Sequence, residues 1–145
     1  MYHLLGELKR LNNHVLRRLG SDEVLKAQEE VTGARGYIIG FIVKTTTEGK
    51  IVYQRDIEKA FSLRRSSATQ TLNSLEKSGL IRRLSEKSDK RLKKIVVTEK
   101  GLETHKKVIE RLNEIDGELI SCLTKEELEI FKVVLEKLKE GLKVD

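Results

Sequence analysis

The 145-residue chain has no proline, no tryptophan and only three tyrosines and three phenylalanines. A sandwich or barrel draws on frequent turns and bulky strand residues, so this composition makes a mainly helical protein the default. The single cysteine, Cys122, cannot form an internal disulfide, and a reducing compartment follows. On a long helix it reads as a buried small hydrophobe, with a sensory thiol as the alternative. Long apolar runs are also missing. The longest, Tyr37 to Val43, ends at Lys44, far short of the roughly 18 residues of a membrane span. Gly36 just before it and Gly40 within it read as close packing of a core helix. Glu7, Lys9 and Arg10 fall where a secretory signal would be apolar, so a cytoplasmic location is expected. His3, His14 and His105 make no i, i+4 pair and form a poor ligand set, so neither metal nor cofactor is expected. No glycine-rich phosphate loop, nucleophile elbow or paired-carboxylate arrangement stands out, and the chain is read as a non-enzyme.

Charge is abundant and unevenly placed. The net charge is +6, yet residues 53 to 94 hold twelve basic and five acidic side chains, while residues 95 to 145 hold nine and twelve. A basic centre between neutral and acidic flanks is the pattern of a polyanion-binding module on a scaffold with another task. Hydrophobic residues make up only 38%, which is lean for a globular chain and favours a core shared with a partner.

Periodicity orders the elements. Leu4, Leu8, Leu11, Val15 and Leu19 predict a first helix over Tyr2 to Leu19, followed by a polar stretch. Thr32 is positioned to cap a helix reaching Lys44, with Thr45 to Gly49 as its exit. Lys50 to Val52 read as a short strand. Tyr53 to Phe61 predict a compact helix with Ile57, Ala60 and Phe61 inward. After the turn Ser62-Leu63-Arg64, a second helix from Arg65 or Ser66 to Ser78 turns Ala68, Leu72 and Leu75 inward and stops at Gly79. Leu80 to Leu84 and Lys93 to Val97 read as strands joined by a polar, basic tip. Helix, turn, helix and basic hairpin together describe a winged helix-turn-helix with a two-stranded wing.

Thr98 caps a long helix, and Thr124-Lys-Glu-Glu127 is a capping box opening the last one. Leu102, Ile109, Leu112, Ile115, Leu119 and Leu123 form an apolar stripe. Leu128, Phe131, Leu135, Leu138 and Leu142 form another, with little domain left to bury it. The expected architecture is therefore mainly α, one domain over 1–145. Residues 50–97 form the winged lobe, and 1–20 and 98–145 form long dimerisation helices that build a two-fold homodimer.

These residues resemble the MarR-type winged-helix transcriptional regulators of bacteria and archaea along nearly the whole chain. The wing signature, Asp-x-Arg, five residues and Leu-Thr, appears as Asp89-Lys90-Arg91, then Leu92 to Val96, then Val97-Thr98, with Val97 in place of Leu. Leu75 to Arg83 and Gln54 to Glu58 look like the recognition-helix exit and the first helix of the motif. The resemblance implies a homodimer with interlocking first, fifth and sixth helices. It also implies a pseudo-palindromic double-stranded DNA operator, repression by promoter occupancy, and release by a small, often aromatic or phenolic, effector. Tyr37 and Phe41 could line such an effector cleft, but core aromatics is the stronger reading of both, and neither is taken as a site residue.

On the residues themselves, Ser66, Ser67, Thr69, Gln70 and Asn73 are candidates for base edges, because Asn and Gln can pair bidentately with adenine and hydroxyls suit several bases. An ordinary helix face chosen for helicity alone would hold more Glu, Lys and Ala. Arg64, Arg65 and Gln54 are assigned to phosphates. Arg91 at the wing tip is suited to a minor groove. Asp89 would orient it by an ion pair, or serve only as a turn residue. Lys90, Lys93 and Lys94 add phosphate contacts. The rival from another class is a winged-helix module that meets an acidic protein and no DNA.

Overall fold

The computed structural model describes residues 3–31 and 33–142. Among the described residues seven α-helices and three strands follow one another: α1 Leu4–Ser21, α2 Glu23–Ala27, α3 Ala34–Thr47, β1 Val52–Tyr53, α4 Gln54–Ala60, α5 Arg65–Lys77, β2 Ile81–Ser85, β3 Lys93–Val97, α6 Glu99–Ile120 and α7 Lys125–Leu142, with a 3₁₀ turn at Glu29–Val31. The chain forms two compact units, one up to Ile109 and one from Glu110 onward.

In the first unit the core gathers Ile38, Ile39 and Ile42 of α3, Ile57 of α4, Leu72 and Leu75 of α5, and Ile81 and Ile95 of the sheet, all essentially fully buried. Burying side chains of this size contributes about 1.5–3 kcal/mol each, which holds the two short helices against α3 and the sheet. The sheet is antiparallel with order β1-β3-β2. The expected strand at Lys50 to Val52 is displaced: Val52 pairs with Ile95 and Tyr53 with Lys94, giving the two-stranded hairpin a third strand. Gly49 takes a positive φ of 78° and the Lys50 amide donates to the Thr45 carbonyl, so the residues before Val52 still close α3.

Several expectations shift. The polar stretch after α1 contains α2, capped by Asp22, whose Oδ1 accepts from the Leu25 amide at 3.1 Å. Leu25 and Val31 carry this stretch into the core. Helix α3 runs past Lys44 through Thr47, because the Thr46 and Thr47 hydroxyls donate to the Ile42 and Val43 carbonyls at 2.7 Å instead of ending the helix. Thr32 lies outside the described residues, as does Tyr2, and Gly33 occupies the position before Ala34. Ala60 is exposed, so Ile57 alone is the fully buried residue of α4. Cys122 is exposed and donates to the Leu119 carbonyl, contrary to the buried reading. Tyr37 is 73% exposed and not a core aromatic, whereas Phe41 packs edge-on against Phe61 with centroids 5.7 Å apart.

The two glycines of α3 are packing residues. A Cβ on Gly36 would run into the Val31 carbonyl, and one on Gly40 would stand 3.4 Å from His105 Cε1. Burial there pushes the His105 imidazole below its ordinary value. In the second unit the capping box of α7 is formed: Thr124 N donates to Glu127 Oε2 at 2.8 Å and Glu127 N to Thr124 Oγ1 at 3.2 Å. None of the described residues of α1 or α7 is buried, although both helices carry a strong apolar stripe. Among the described residues no helix is long and apolar enough to cross a membrane.

Candidate nucleic-acid interface

Helix α4 opens with Asp56 Oδ2 accepting from the Tyr53 amide at 2.8 Å. Its end is turned by Ser62, with a positive φ of 49°, and by the Leu63 amide donating to the Glu58 carbonyl. The chain thus re-enters as α5 with Arg64 at the cap position. Ala68, Leu72 and Leu75 face the core at helical spacing, which leaves Ser66, Ser67, Gln70 and Asn73 exposed on the other side. Arg64 and Arg65 are exposed at the helix entrance.

Three of the candidate side chains, Gln54, Thr69 and Asn73, are tied to neighbouring elements. Gln54, half-buried at the start of α4, donates from Nε2 to Glu58 Oε1 at 2.9 Å and to Thr69 Oγ1 at 2.8 Å, so it braces α4 against α5. Asn73 Oδ1 accepts from Arg83 Nη2 of β2 at 2.6 Å. The same guanidinium donates from Nε to Glu76 Oε2 at 2.9 Å, while the Arg83 amide donates to Glu76 Oε1 at 3.0 Å. Hydrogen bonding to Arg83 holds the Glu76 carboxyl below its usual value against a smaller opposing effect of burial. Glu76 and Arg83 lie within the Leu75 to Arg83 stretch, and their opposite charges on either side of the Gly79 reversal are the one sequence signal of this pair.

The exit of α5 is fastened by the end of the wing signature. Gly79 takes a positive φ of 74°, and the Leu80 amide donates to the Leu75 carbonyl. Thr98 Oγ1 donates to the Gly79 carbonyl at 2.6 Å while accepting from the Gly101 amide at 3.0 Å, and Lys100 Nζ donates to the Ser78 carbonyl at 2.8 Å. Val97-Thr98-Glu-Lys-Gly101 is therefore a structural clasp between the base of the wing, the α5 exit and the first turn of α6.

In the wing itself, Ser85 pairs with Lys93, and the Glu86 amide donating to the Leu92 carbonyl closes the tip. Asp89 Oδ1 accepts from the Arg91 amide at 2.9 Å and lies 3.5 Å from Arg91 Nε. Asp89 is thus both a turn residue and the ion-pair partner of Arg91, whose side chain is 94% exposed. Lys90 and Lys93 are exposed and Lys94 is half-buried in the central strand. Arg82 and Lys87 are further exposed cations of the hairpin that a search for motifs passes over. The structure brings an exposed polar helix face and a basic hairpin tip into one lobe. Among the described residues no cluster of three or more His, Cys, Asp or Glu could hold a metal ion.

A helix-turn-helix backed by a three-stranded sheet and flanked by a hairpin defines a winged helix-turn-helix protein. The MarR family profile matches residues 30–92. An uncharacterized HTH-type transcriptional regulator, YwhA of Bacillus subtilis (strain 168), is 30% identical over 112 residues, covering 77% of this chain and 78% of the relative. Among solved structures, MepR of S. aureus in complex with DNA shares 26% identity, with a TM-score of 0.70 over 94% of this chain and 98% of that one. A mutant of S. aureus MepR superposes with a TM-score of 0.79 at 23% identity, over 97% and 99% of the two chains. The chain belongs to the MarR family of winged helix-turn-helix transcriptional regulators.

Proposed function

We propose that this regulator binds a pseudo-palindromic operator in double-stranded DNA as a homodimer and acts as a repressor, not as an enzyme. The observation that carries the reading is the pairing, in one lobe, of an exposed face of hydroxyls and amides on α5 with an exposed arginine at the wing tip. In this reading Ser66, Ser67, Thr69, Gln70 and Asn73 approach base edges in a major groove. Arg64, Arg65, Lys90, Lys93 and Lys94 contact phosphates, and Gln54 sets the docking angle by bracing α4 on α5. Arg91, held by Asp89, enters the adjacent minor groove, where a narrow width concentrates negative potential.

The 1–20 and 98–145 segments supply the dimer helices around the 50–97 lobe, and two-fold symmetry then makes the operator an inverted repeat. A cytoplasmic location fits this role. A small aromatic or phenolic effector would release DNA by binding more tightly to a dimer conformation whose two lobes misfit the operator spacing. The observation that favours a ligand is the exposed Tyr37 one turn from Phe41 on α3.

The test is a selection of random duplexes on the purified protein at near-physiological salt, followed by sequencing. An inverted repeat is expected. Recovery of no duplex by folded, dimeric protein would favour a protein-interaction module instead. Once the operator is known, Arg91→Ala is expected to weaken binding about tenfold while leaving the dimer intact by sedimentation, because one Arg–DNA contact per protomer is lost. Unchanged affinity would remove the wing tip from the interface.

A further inference from the structure

Two of the polar groups offered by α5 have their acceptor oxygens engaged within the protein. Thr69 Oγ1 accepts from Gln54 Nε2, and Asn73 Oδ1 accepts from Arg83 Nη2. Thr69 and Asn73 are four residues apart and share one stripe of the helix. The donors come from different elements, α4 and β2, and each is itself anchored. Gln54 also holds Glu58, and Arg83 grips Glu76 through its side chain and its backbone amide. What remains uncommitted, among the hydrogen bonds of the described residues, is the Thr69 hydroxyl hydrogen and the Asn73 Nδ2 group.

We propose, building on the DNA-binding reading above, that Arg83 and Gln54 are positioning residues that set Asn73 and Thr69 to donate, so this stripe of α5 selects guanine. A free asparagine matches adenine, because its amide presents an acceptor and a donor to adenine N6 and N7. Guanine presents two acceptors, N7 and O6, in the same groove. An amide whose oxygen faces a guanidinium and whose NH₂ is unengaged matches two acceptors better than an acceptor beside a donor. Gln70, exposed and without a partner among the described residues, keeps both ends of its amide and provides an internal contrast. Arg83 is the replaceable part. A lysine at that position keeps the charge beside Glu76 but lacks the planar fork that reaches carboxylate and amide together.

The experiment uses the full-length protein and the operator obtained by selection. Asn73→Ala locates the base pair that depends on Asn73. Duplexes carrying guanine or adenine at that position then compete for wild type and for Arg83→Lys. Wild type is expected to prefer guanine by about fivefold or more, the lower range for a good base contact. Arg83→Lys is expected to bring the two near parity, with affinity for random duplex and the thermal midpoint unchanged. Adenine preferred by wild type overturns the donor assignment alone, and a guanine preference intact in Arg83→Lys overturns the positioning role of Arg83. A loss of equal size on every duplex makes Arg83 a phosphate contact and overturns its positioning role. Retention of no duplex by wild type overturns the DNA-binding reading, and the donor assignment with it.

Discussion

Gly101→Ala is expected to destabilise the fold by about 3 kcal/mol, at the upper end of what one inserted methyl costs in a well-packed site. Gly101 sits in the first turn of α6, where a Cβ would run into the Leu80 carbonyl and stand 2.7 Å from Val97 Cγ1. Neither neighbour is free to retreat. The Leu80 carbonyl accepts from the Thr98 amide at 3.0 Å, and Val97 pairs with Ile81 across the hairpin. Backing α6 away would strain the bonds from Thr98 and Lys100 to the exit of α5. The denaturant midpoint of the purified variant measures the cost, and an unchanged slope would show that the unfolded reference is the same. Gly117→Ala, farther along the same helix, provides the opposite sign. A Cβ there meets nothing within 4 Å, so the gain in helix propensity is expected to stabilise by about 1 kcal/mol. If Gly117→Ala destabilised instead, a second copy of the chain would be packed against that position. If Gly101→Ala were neutral, the clasp would be looser than these contacts indicate.

That clasp shows where reading by sequence succeeds and where it stops. The buried stripe of α5, the stop at Gly79, the strand from Lys93 to Val97 and the capping box at Thr124 were all legible, because each is a local rule satisfied within a few residues. The Thr98 cap was legible too, but not its second bond to the Gly79 carbonyl, nineteen residues away. The Asn73–Glu76–Arg83 group escaped for the same reason. Its partners lie on a helix and on the strand that follows the reversal, and only the turn at Gly79 brings them together. Helix α2 was hidden by its polar surface: only Leu25 of its five residues is buried, too few for an amphipathic pattern. Thr45 to Thr47 read as an exit because β-branched hydroxyl residues disfavour helix interiors, yet back-bonding to α3 carbonyls keeps Thr46 and Thr47 helical. Exposure of Cys122 and Tyr37 could not be read from helical spacing, which fixes neighbours along one helix and not the partner that covers it.

The other large effect is expected from placing Glu at both Phe131 and Leu135 of α7, which should convert a dimer into folded monomers. Phe131 is 48% exposed and Leu135 39%, and Ile130, Val133 and Val134 of the same helix are exposed as well. Apolar surface of this extent on one helix is costly unless covered, and contiguous patches of this kind mark interaction sites. Covering one such side chain fully contributes about 1.5–3 kcal/mol, and a two-fold axis counts every substitution twice. Four carboxylates would then be brought from water into a mostly apolar interface without partners, which adds a desolvation cost. No described residue of α7 is buried within one chain, so the helix content of the variant, followed by circular dichroism, should change little. Sedimentation should show the mass halved. Operator affinity should fall by about a hundredfold or more, since two linked half-site contacts become independent encounters, while binding of a single half-site stays measurable. Lys132→Ala is the control on the same helix. Its partner Glu129 lies 2.7 Å away in an exposed pair, worth little in water, and the variant should remain dimeric. A double variant that still sediments as a dimer would move the interface off this face of α7. A wild-type protein that sediments as a monomer would remove the symmetry argument for an inverted-repeat operator.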